Sequence, residues 1–403
     1  MFENVTINQS APTNSVLAGT SVTLSIIGAE GYSYQWFLNS SGIPDSEVAI
    51  PGATGTSYTP GQLPKTSIGG AGTPDSGTYT VQVTNNKTNA AGILNLGKLT
   101  VTENAWLINL SARAYVGTGA DVLIAGFVTQ GPPLGGKAIL VRSDGPSLGI
   151  PPFNIAGTLG HPQIALYSGS YPFENGTGWD PSLAAIFADV GAFSWTDGSA
   201  DSAILALGGP GAYTAVISGA DSGTGIALAE LYDADLAADR ERGFRLSGPP
   251  TNRLVNLSAR AEILTGANVL IGGFVIAGTT PKTVLIRGGG PFLALAPFNV
   301  TGTIPSTSIT LNDGNGAPIA TNAGWSNAIQ LGSSPLVTGS DVQVGLEPAS
   351  QAIFSRAGAS GTWNSGSGDS ALVATLPPGL YTVIESGSGG ATGIGLMEIY
   401  EVN

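Results

Sequence analysis

An internal duplication in the C-terminal three quarters of the chain restricts its fold more than any other feature. Residues 107–128 and 254–275 are identical at 16 of 22 positions at an offset of 147. Similarity of this extent indicates one structural unit that is present twice. The match continues through Lys137/Lys282, Arg142/Arg287, Phe153/Phe298, Asp201/Asp369, Tyr213/Tyr381, Glu230/Glu398 and Tyr232/Tyr400.

Two pairs of tryptophans locate a difference in length between the copies. Trp179 and Trp195 are 16 residues apart, whereas their counterparts Trp325 and Trp363 are 38 residues apart. The second copy therefore carries 22 additional residues. We place this insertion near 331–358 and expect a surface loop or an extra hairpin there.

Short runs of β-branched and aromatic residues predict an all-β fold. Examples are residues 21–26, 79–83, 138–142 and 381–384, and clusters of Gly, Pro, Asn and Ser separate such runs. A turn about every 8–12 residues is typical of sandwiches and barrels. A short helix is expected at 181–187, where Pro181 takes a first-turn position.

The predicted architecture is three tandem β-sandwich domains, the second and third homologous to each other. Their boundaries are placed at 1–103, 104–232 and 253–403. Residues 233–250 form the only dense charge run of the chain and end in Pro-Pro, which indicates a linker at 233–252.

The first 103 residues resemble an immunoglobulin-like sandwich. Ile26 ends an alternating apolar run, Trp36 follows ten residues later, and Asp75-Ser-Gly-Thr-Tyr79 precedes Val81. The resemblance implies that Trp36 packs between the sheets and that Tyr79 turns its hydroxyl back to a corner. It also implies that Ile26 and Val81 stand where antibody domains carry bridging cysteines. A core role for Trp36 is favoured over an exposed ligand platform.

The composition excludes several classes of function. The chain has no cysteine and one histidine, His161, so disulfides, thiolate metal sites, cysteine nucleophiles and His-based triads are not expected. Fourteen Lys and Arg against 27 Asp and Glu give a net charge of -13, which argues against nucleic acid as a partner. No apolar run approaches the roughly 18 residues of a membrane-spanning helix, and any export signal is expected to lie outside the sequence.

The polar residues that recur in both copies are the candidates for chemistry. Asn109, Ser111 and Arg113 share one face of a strand. Arg113 and Arg260 are expected to form buried ion pairs, with Glu230 and Glu398 or, alternatively, Asp201 and Asp369 as their counter-charges. This structural bridge is favoured over a glycosidase-like pair of acids, and no catalytic residue is assigned.

Two further sets of residues are weak ligand candidates. The tryptophans Trp179, Trp195, Trp325 and Trp363 are expected to pack against the sandwich rather than to stack on sugars, although glycan binding stays open. Asp313 and Asn315 lie in an Asn-Asp-Gly-Asn-Gly segment with a faint similarity to a calcium loop. An ordinary turn is favoured there, and no metal or cofactor is predicted.

The Asn-Leu-Ser-x-Arg and Leu-Ile-x-Gly-Phe motifs of both copies resemble the C-terminal modules of large secreted proteins from Verrucomicrobia-like bacteria. An immunoglobulin-like module often precedes them there, and the resemblance implies an extracellular or cell-surface location. Only 10% of the residues are charged, so side-by-side packing of copies is weakly opposed. We therefore predict a non-catalytic structural protein that assembles with itself into a filament, sheath or surface layer. The alternative is a cell-surface adhesion or carbohydrate-binding module.

Overall fold

The structure is a computed structural model that describes residues 6–8, 15–17, 23–39, 46–59, 77–102, 105–132, 136–235, 252–338, 344–359, 361 and 363–402. Within these residues the chain forms 26 strands and three short helices. The prediction of an all-β fold is therefore confirmed. No helix in these ranges is long and apolar enough to cross a membrane.

The N-terminal region packs two small sheets around one buried cluster. Trp36 is fully buried, stacks near Tyr58 and donates its indole N–H to the Gly55 carbonyl oxygen at 2.9 Å. Ile26 and Val81 come from different sheets and belong to the same cluster. Asp75 lies outside the described residues. The strands are β1 (Thr6–Asn8), β2 (Ser15–Leu17), β3 (Leu24–Ile27), β4 (Tyr32–Asn39), β5 (Val48–Ala49), β6 (Ser57–Tyr58), β7 (Gly77–Asn85) and β8 (Ala91–Thr102), in the orders β1-β3-β6 and β2-β8-β7-β4-β5.

The first repeat has eight strands and one helix in its described residues. A single 3-10 turn at Pro181–Leu183 leads into the helix, as the proline predicts. The elements are β9 (Ala105–Val116), β10 (Leu123–Gln130), β11 (Lys137–Asp144), β12 (Pro162–Ser168), β13 (Tyr171–Thr177), α1 (Ala184–Val190), β14 (Ser202–Gly208), β15 (Gly211–Gly219) and β16 (Gly225–Asp233).

The second repeat follows the same order with additional elements before its last helix. These elements are β17 (Arg253–Ile263), β18 (Leu270–Gly278), β19 (Lys282–Gly289), β20 (Thr307–Asn312), β21 (Pro318–Asn322), β22 (Gln330–Leu331), α2 (Pro335–Thr338), β23 (Gly345–Pro348), α3 (Gln351–Arg356), β24 (Ser370–Leu376), β25 (Gly379–Gly387) and β26 (Gly393–Glu401).

The additional residues of the second repeat form β22, α2 and β23. Helix α3 is the counterpart of α1, because each places a buried phenylalanine, Phe354 or Phe187, between the two tryptophans of its repeat. β22 pairs with β21 and β23 pairs with β24. The insertion thus extends the sheets, and Leu346 on β23 is buried.

The first strands of the two repeats are exchanged. β9 pairs with β16 of its own repeat on one side and with β18 of the other repeat on the other, where Leu110 faces Phe274. β17 likewise pairs with β26 and with β10, where Leu257 faces Phe127. Each repeat therefore supplies a central strand to a sheet of its neighbour.

This exchange joins the repeats into two continuous rows of nine strands each, and parallel bridges between β9 and β17 connect the two rows into one 18-stranded sheet. Their orders are β14-β11-β16-β9-β18-β25-β20-β21-β22 and β23-β24-β19-β26-β17-β10-β15-β12-β13. One buried apolar cluster contains residues of both repeats, including Leu110, Phe127, Leu257 and Phe274. The boundary between the repeats in sequence is therefore not a boundary between two cores.

Candidate functional site

Each repeat contains one fully buried arginine, on its third strand. Arg142 on β11 lies opposite Glu230 on β16, and Arg287 on β19 lies opposite Glu398 on β26. The distances from the arginine Nε to the Oε2 atom of its glutamate are 3.4 Å and 3.1 Å. The other carboxylate oxygen of each glutamate accepts a hydrogen bond of 2.6 Å from a tyrosine hydroxyl two residues later.

The prediction that Arg113 and Arg260 pair with these glutamates was wrong. Arg113 faces Leu228 and Arg260 faces Leu396 in their antiparallel pairs. The residues opposite Glu230 and Glu398 are Ser111 and Ser258, so each arginine lies two residues further along its strand than the position opposite its assigned glutamate. A buried ion pair exists in each repeat, but its cation comes from another strand.

Aromatic rings surround both guanidinium groups. The Cζ atom of Arg142 lies 4.2–4.5 Å from the ring centres of Phe187, Phe193 and Trp195. The Cζ atom of Arg287 lies 4.3–5.3 Å from the centres of three rings, those of Phe292, Phe354 and Trp363. Such contacts stabilise a desolvated cation. We call each set, with its arginine and glutamate, an arginine box.

Of the four candidate tryptophans, Trp195 and Trp363 belong to these boxes, and Trp179 and Trp325 pack against them. Trp195, Trp325 and Trp363 are buried, and Trp179 is half-buried and stacks on Phe187 with 5.5 Å between ring centres. Trp325 packs against Phe354 at 5.6 Å. The faces of these rings are thus used inside the protein, which accords with the packing role favoured from the sequence.

The two boxes differ in charge. In the first repeat, Asp144 Oδ1 accepts hydrogen bonds from Arg142 at 2.8 Å and from the Trp195 indole at 2.6 Å. Its counterpart is Gly289, where a Cβ atom would lie 2.0 Å from the Phe292 ring. One box therefore holds two carboxyl groups and the other holds one. Burial, and next the charge of Glu230, raise the pKa of Asp144 well above its ordinary value.

Asp201 and Asp369 bind backbone amides. Asp201 Oδ1 accepts from Gly145 N at 2.7 Å, and Asp369 Oδ1 accepts from Gly290 N at 2.9 Å. Both carboxylates are buried and hold the 3-10 turn that follows the arginine strand. A glycosidase needs acids that reach a sugar in a cleft, whereas these two close a turn.

Two buried lysines, for which the sequence suggested no role, lock the exchanged strands. Lys137 Nζ lies 2.6 Å from Asp233 Oδ2 and 2.9 Å from the carbonyl oxygen of Asn252, next to the start of β17. Lys282 Nζ lies 3.1 Å from Glu401, whose other oxygen accepts from Leu107 N on β9. Each ion pair joins two strands of one repeat, and one of its members forms a hydrogen bond to the backbone of the other repeat, in its first strand or next to it.

Glu385 is a buried carboxyl group that the sequence analysis missed. Its side chain points into the core of the second repeat, and neither carboxyl oxygen has a hydrogen-bond partner among the described residues. A Cβ atom on Gly288 or Gly395 would lie within 3.3 Å of the carboxyl group. Burial, and then the charges of Glu398 and Asp369, raise the pKa of Glu385 well above its ordinary value.

An alignment of the two copies identifies Glu385 as an acid that the first copy lacks. Counting from Tyr213 and Tyr381, the counterpart of Glu385 is Ile217, and the counterpart of Gly395 is Ala227. Counting from Arg142 and Arg287, the counterpart of Gly288 is Ser143. Around Glu385 the second repeat thus has Gly288 and Gly395, where the first repeat has the larger residues Ser143 and Ala227.

The calcium candidates form a turn. Asp313 Oδ1 accepts from the backbone N–H groups of Asn315 at 2.9 Å and Ala317 at 3.0 Å, and Oδ2 accepts from the Ser334 hydroxyl at 2.5 Å. These bonds, that of Ser334 first, lower the pKa of Asp313. No cluster of three potential metal ligands occurs in the described ranges.

We expect Asp313→Ala to lower the free energy of unfolding by about 1–3 kcal/mol, because three donors, among them the buried Ser334 hydroxyl, lose their acceptor. The loss should be equal with added calcium and with a chelator, as measured by urea denaturation. A loss that depends on calcium would assign the loop to metal binding instead. Asn315→Ala, whose side chain is exposed, is the matched control and should have little effect.

No protein-family model matches this chain, and no curated protein matches it either.

Proposed function

We propose that the chain is a non-catalytic extracellular structural protein, a subunit that associates with copies of itself into a filament, sheath or surface layer. The observation that carries this proposal is the apolar surface of the outermost strands. Tyr171 on β13, Leu207 on β14 and Leu331 on β22 are 78%, 71% and 58% exposed. Exposed apolar groups on terminal strands favour association with another protein surface.

The use of the polar residues inside the fold supports the same proposal. The buried arginines, their glutamates and the two aspartates bind one another or the backbone. The tryptophans that could form a glycan-binding platform pack against each other within the fold, Trp179 on Trp195 and Trp325 on Trp363. These ionisable and aromatic residues therefore stabilise the fold itself, and a structural subunit needs a rigid fold.

The continuity of the two rows of strands is a further support. A single core and nine-stranded rows across both repeats oppose bending at the repeat boundary. A surface with few charges reduces the repulsion between copies. Together these properties suit a stiff building block.

Negative-stain electron microscopy of the native chain, combined with its mass in solution, tests the proposal. We expect ordered filaments or sheets, and a mass that increases with concentration. A chain that stays monomeric at 40.3 kDa under all assembly conditions contradicts it.

The second candidate is adhesion or carbohydrate binding. A shallow cavity of about 260 Å³ lies between the Asp313 turn and Tyr381, with Leu380 and Leu336 on its wall. A cavity with apolar walls and a few polar groups suits a small ligand. Saturable binding on a glycan array, lost in Leu380→Ala, would favour this candidate over the structural one.

A further inference from the structure

Among the residues that the structure describes, strand β14 of the first repeat is a sheet edge with no strand on its outer side. It pairs with β11 on one side. On the other side, Ala203 N donates to the Gly178 carbonyl oxygen at 3.1 Å. Because alternate amides of a strand point the same way, those of Leu205 and Leu207 face this side too. Within the described residues, no strand pairs with them.

The sequence of β14 lacks the features that normally block edge pairing. Ser202–Gly208 contains no charge and no proline, whereas natural edge strands commonly carry one or the other. Leu205 and Leu207 are 39% and 71% exposed on the same face. A strand of seven residues with free amides and two exposed leucines is a template for another strand.

In the second repeat, the strand that corresponds to β14 is paired with an additional strand. β24 is the counterpart of β14, and β23 pairs with it antiparallel. In that pairing Val373, the counterpart of Leu205, faces Glu347, and Thr375, the counterpart of Leu207, faces Gly345. Val373 is only 3% exposed as a result. The insertion of the second repeat thus covers an edge that the first repeat leaves open.

We propose that β14 pairs antiparallel with β14 of a second copy of this chain across a two-fold axis. The other terminal strands fit less well: β22 has two residues, β23 carries Glu347 and Pro348, and β13 carries Pro172 and Glu174. β14 is uncharged and complementary to itself. The inference rests on the self-association in the proposed function and names one of its contacts.

The direction of the free amides fixes the register. Leu205 and Leu207 both present their N–H and C=O groups to the open side, so a two-fold axis near Ala206 places Leu205 opposite Leu207 of the second copy. Each such pair exchanges two backbone hydrogen bonds. The leucines of both copies then lie side by side on one face of the joined sheet, where cross-strand apolar pairs stabilise pairing.

Charge substitution on the edge tests the contact. In Leu205→Lys/Leu207→Lys, four lysines meet at the two-fold axis, and like charges on facing strands oppose pairing. We expect the wild-type chain to sediment at twice the monomer mass of 40.3 kDa or more, and the double variant to sediment at a lower mass at equal concentration. Leu380→Lys on β25, at a 66% exposed leucine, is the control and should keep the wild-type mass.

Disulfide trapping tests the register without depending on those variants. The chain has no cysteine, so Leu205→Cys and Leu207→Cys each introduce a single thiol. Facing residues of a hydrogen-bonded antiparallel pair have Cα atoms about 5.5 Å apart, which a disulfide spans. Mixing the two variants and oxidising them should give a covalent dimer through 205 and 207, and Leu205→Cys alone should give far less.

The outcomes separate this contact from the proposed function. A cross-linked dimer without filaments supports the contact and contradicts the filament. Filaments that persist in the lysine variant, with no cross-link, support assembly through another surface and overturn the contact. A wild-type chain that is monomeric and does not cross-link overturns both.

Discussion

Arg142→Met should lower the free energy of unfolding by about 3–5 kcal/mol, because it leaves buried carboxyl groups without their cation. Methionine keeps much of the apolar volume of the arginine stem, so the loss reports on charge rather than on a cavity. Asp144 and Glu230 would both remain enclosed, at positions 2.8 Å and 3.4 Å from the arginine nitrogens in the wild type. Urea denaturation at neutral pH measures the effect.

The second repeat supplies a matched comparison for this variant. Arg287→Met leaves one glutamate, Glu398, because Gly289 stands where the first repeat has Asp144. Its loss should therefore be smaller than that of Arg142→Met. Arg113→Met, at the half-buried arginine that faces Leu228, should cost less than about 1 kcal/mol. Equal losses in all three variants would contradict the role of the boxes.

Glu385→Gln should make the protein more stable at alkaline pH and leave it nearly unchanged at acidic pH. The folded protein keeps the carboxyl group protonated, since burial raises its pKa, whereas the unfolded chain ionises it near its ordinary value. The folded state thus binds more protons, and wild-type stability falls as the pH rises above about 4.3. The limiting slope is about 1.4 kcal/mol per pH unit for one group.

Unfolding by urea at pH 5, 6, 7 and 8 measures this difference. Asp144, a buried acid of the other repeat, contributes equally to both proteins, so the difference between the curves reports Glu385 together with its interaction with Glu398 and Asp369. Glu385→Ile, the residue of the first repeat, is also uncharged and should show the same trend with pH. A difference that stays constant across the pH range would mean that Glu385 is ionised in the folded protein.

The sequence predicted the strands and the buried tryptophans because these depend on local pattern. Alternation of apolar residues locates a strand, and the core position of Trp36 was implied by the resemblance of its surroundings to an immunoglobulin-like sandwich. Strand β16 lies between β9 and β11, so the partner of Glu230 depends on the register of both pairs. A period of two assigns Arg113 to a face of β9 but does not say which residue it meets across the sheet, and Arg142 faces the glutamate instead.

The exchange of β9 and β17 could not be predicted for a different reason. The segments that form β9–β10 and β17–β18 are nearly identical, so β10 and β18 offer almost the same surface to either first strand. No local propensity separates the exchanged from the unexchanged pairing. The buried lysines, which tie Asn252 and Leu107 to the opposite repeat, favour the exchanged pairing only once both copies are folded together.

The strand exchange also changes what the segment between Asp235 and Asn252 contributes to the integrity of the molecule. The first repeat supplies β9 to a sheet of the second, and the second supplies β17 to a sheet of the first. Cutting the backbone within residues 236–251 would therefore leave the described strand pairs between the repeats in place. The two fragments would stay interlocked, as the halves of a nicked protein do, and would separate only when both unfold.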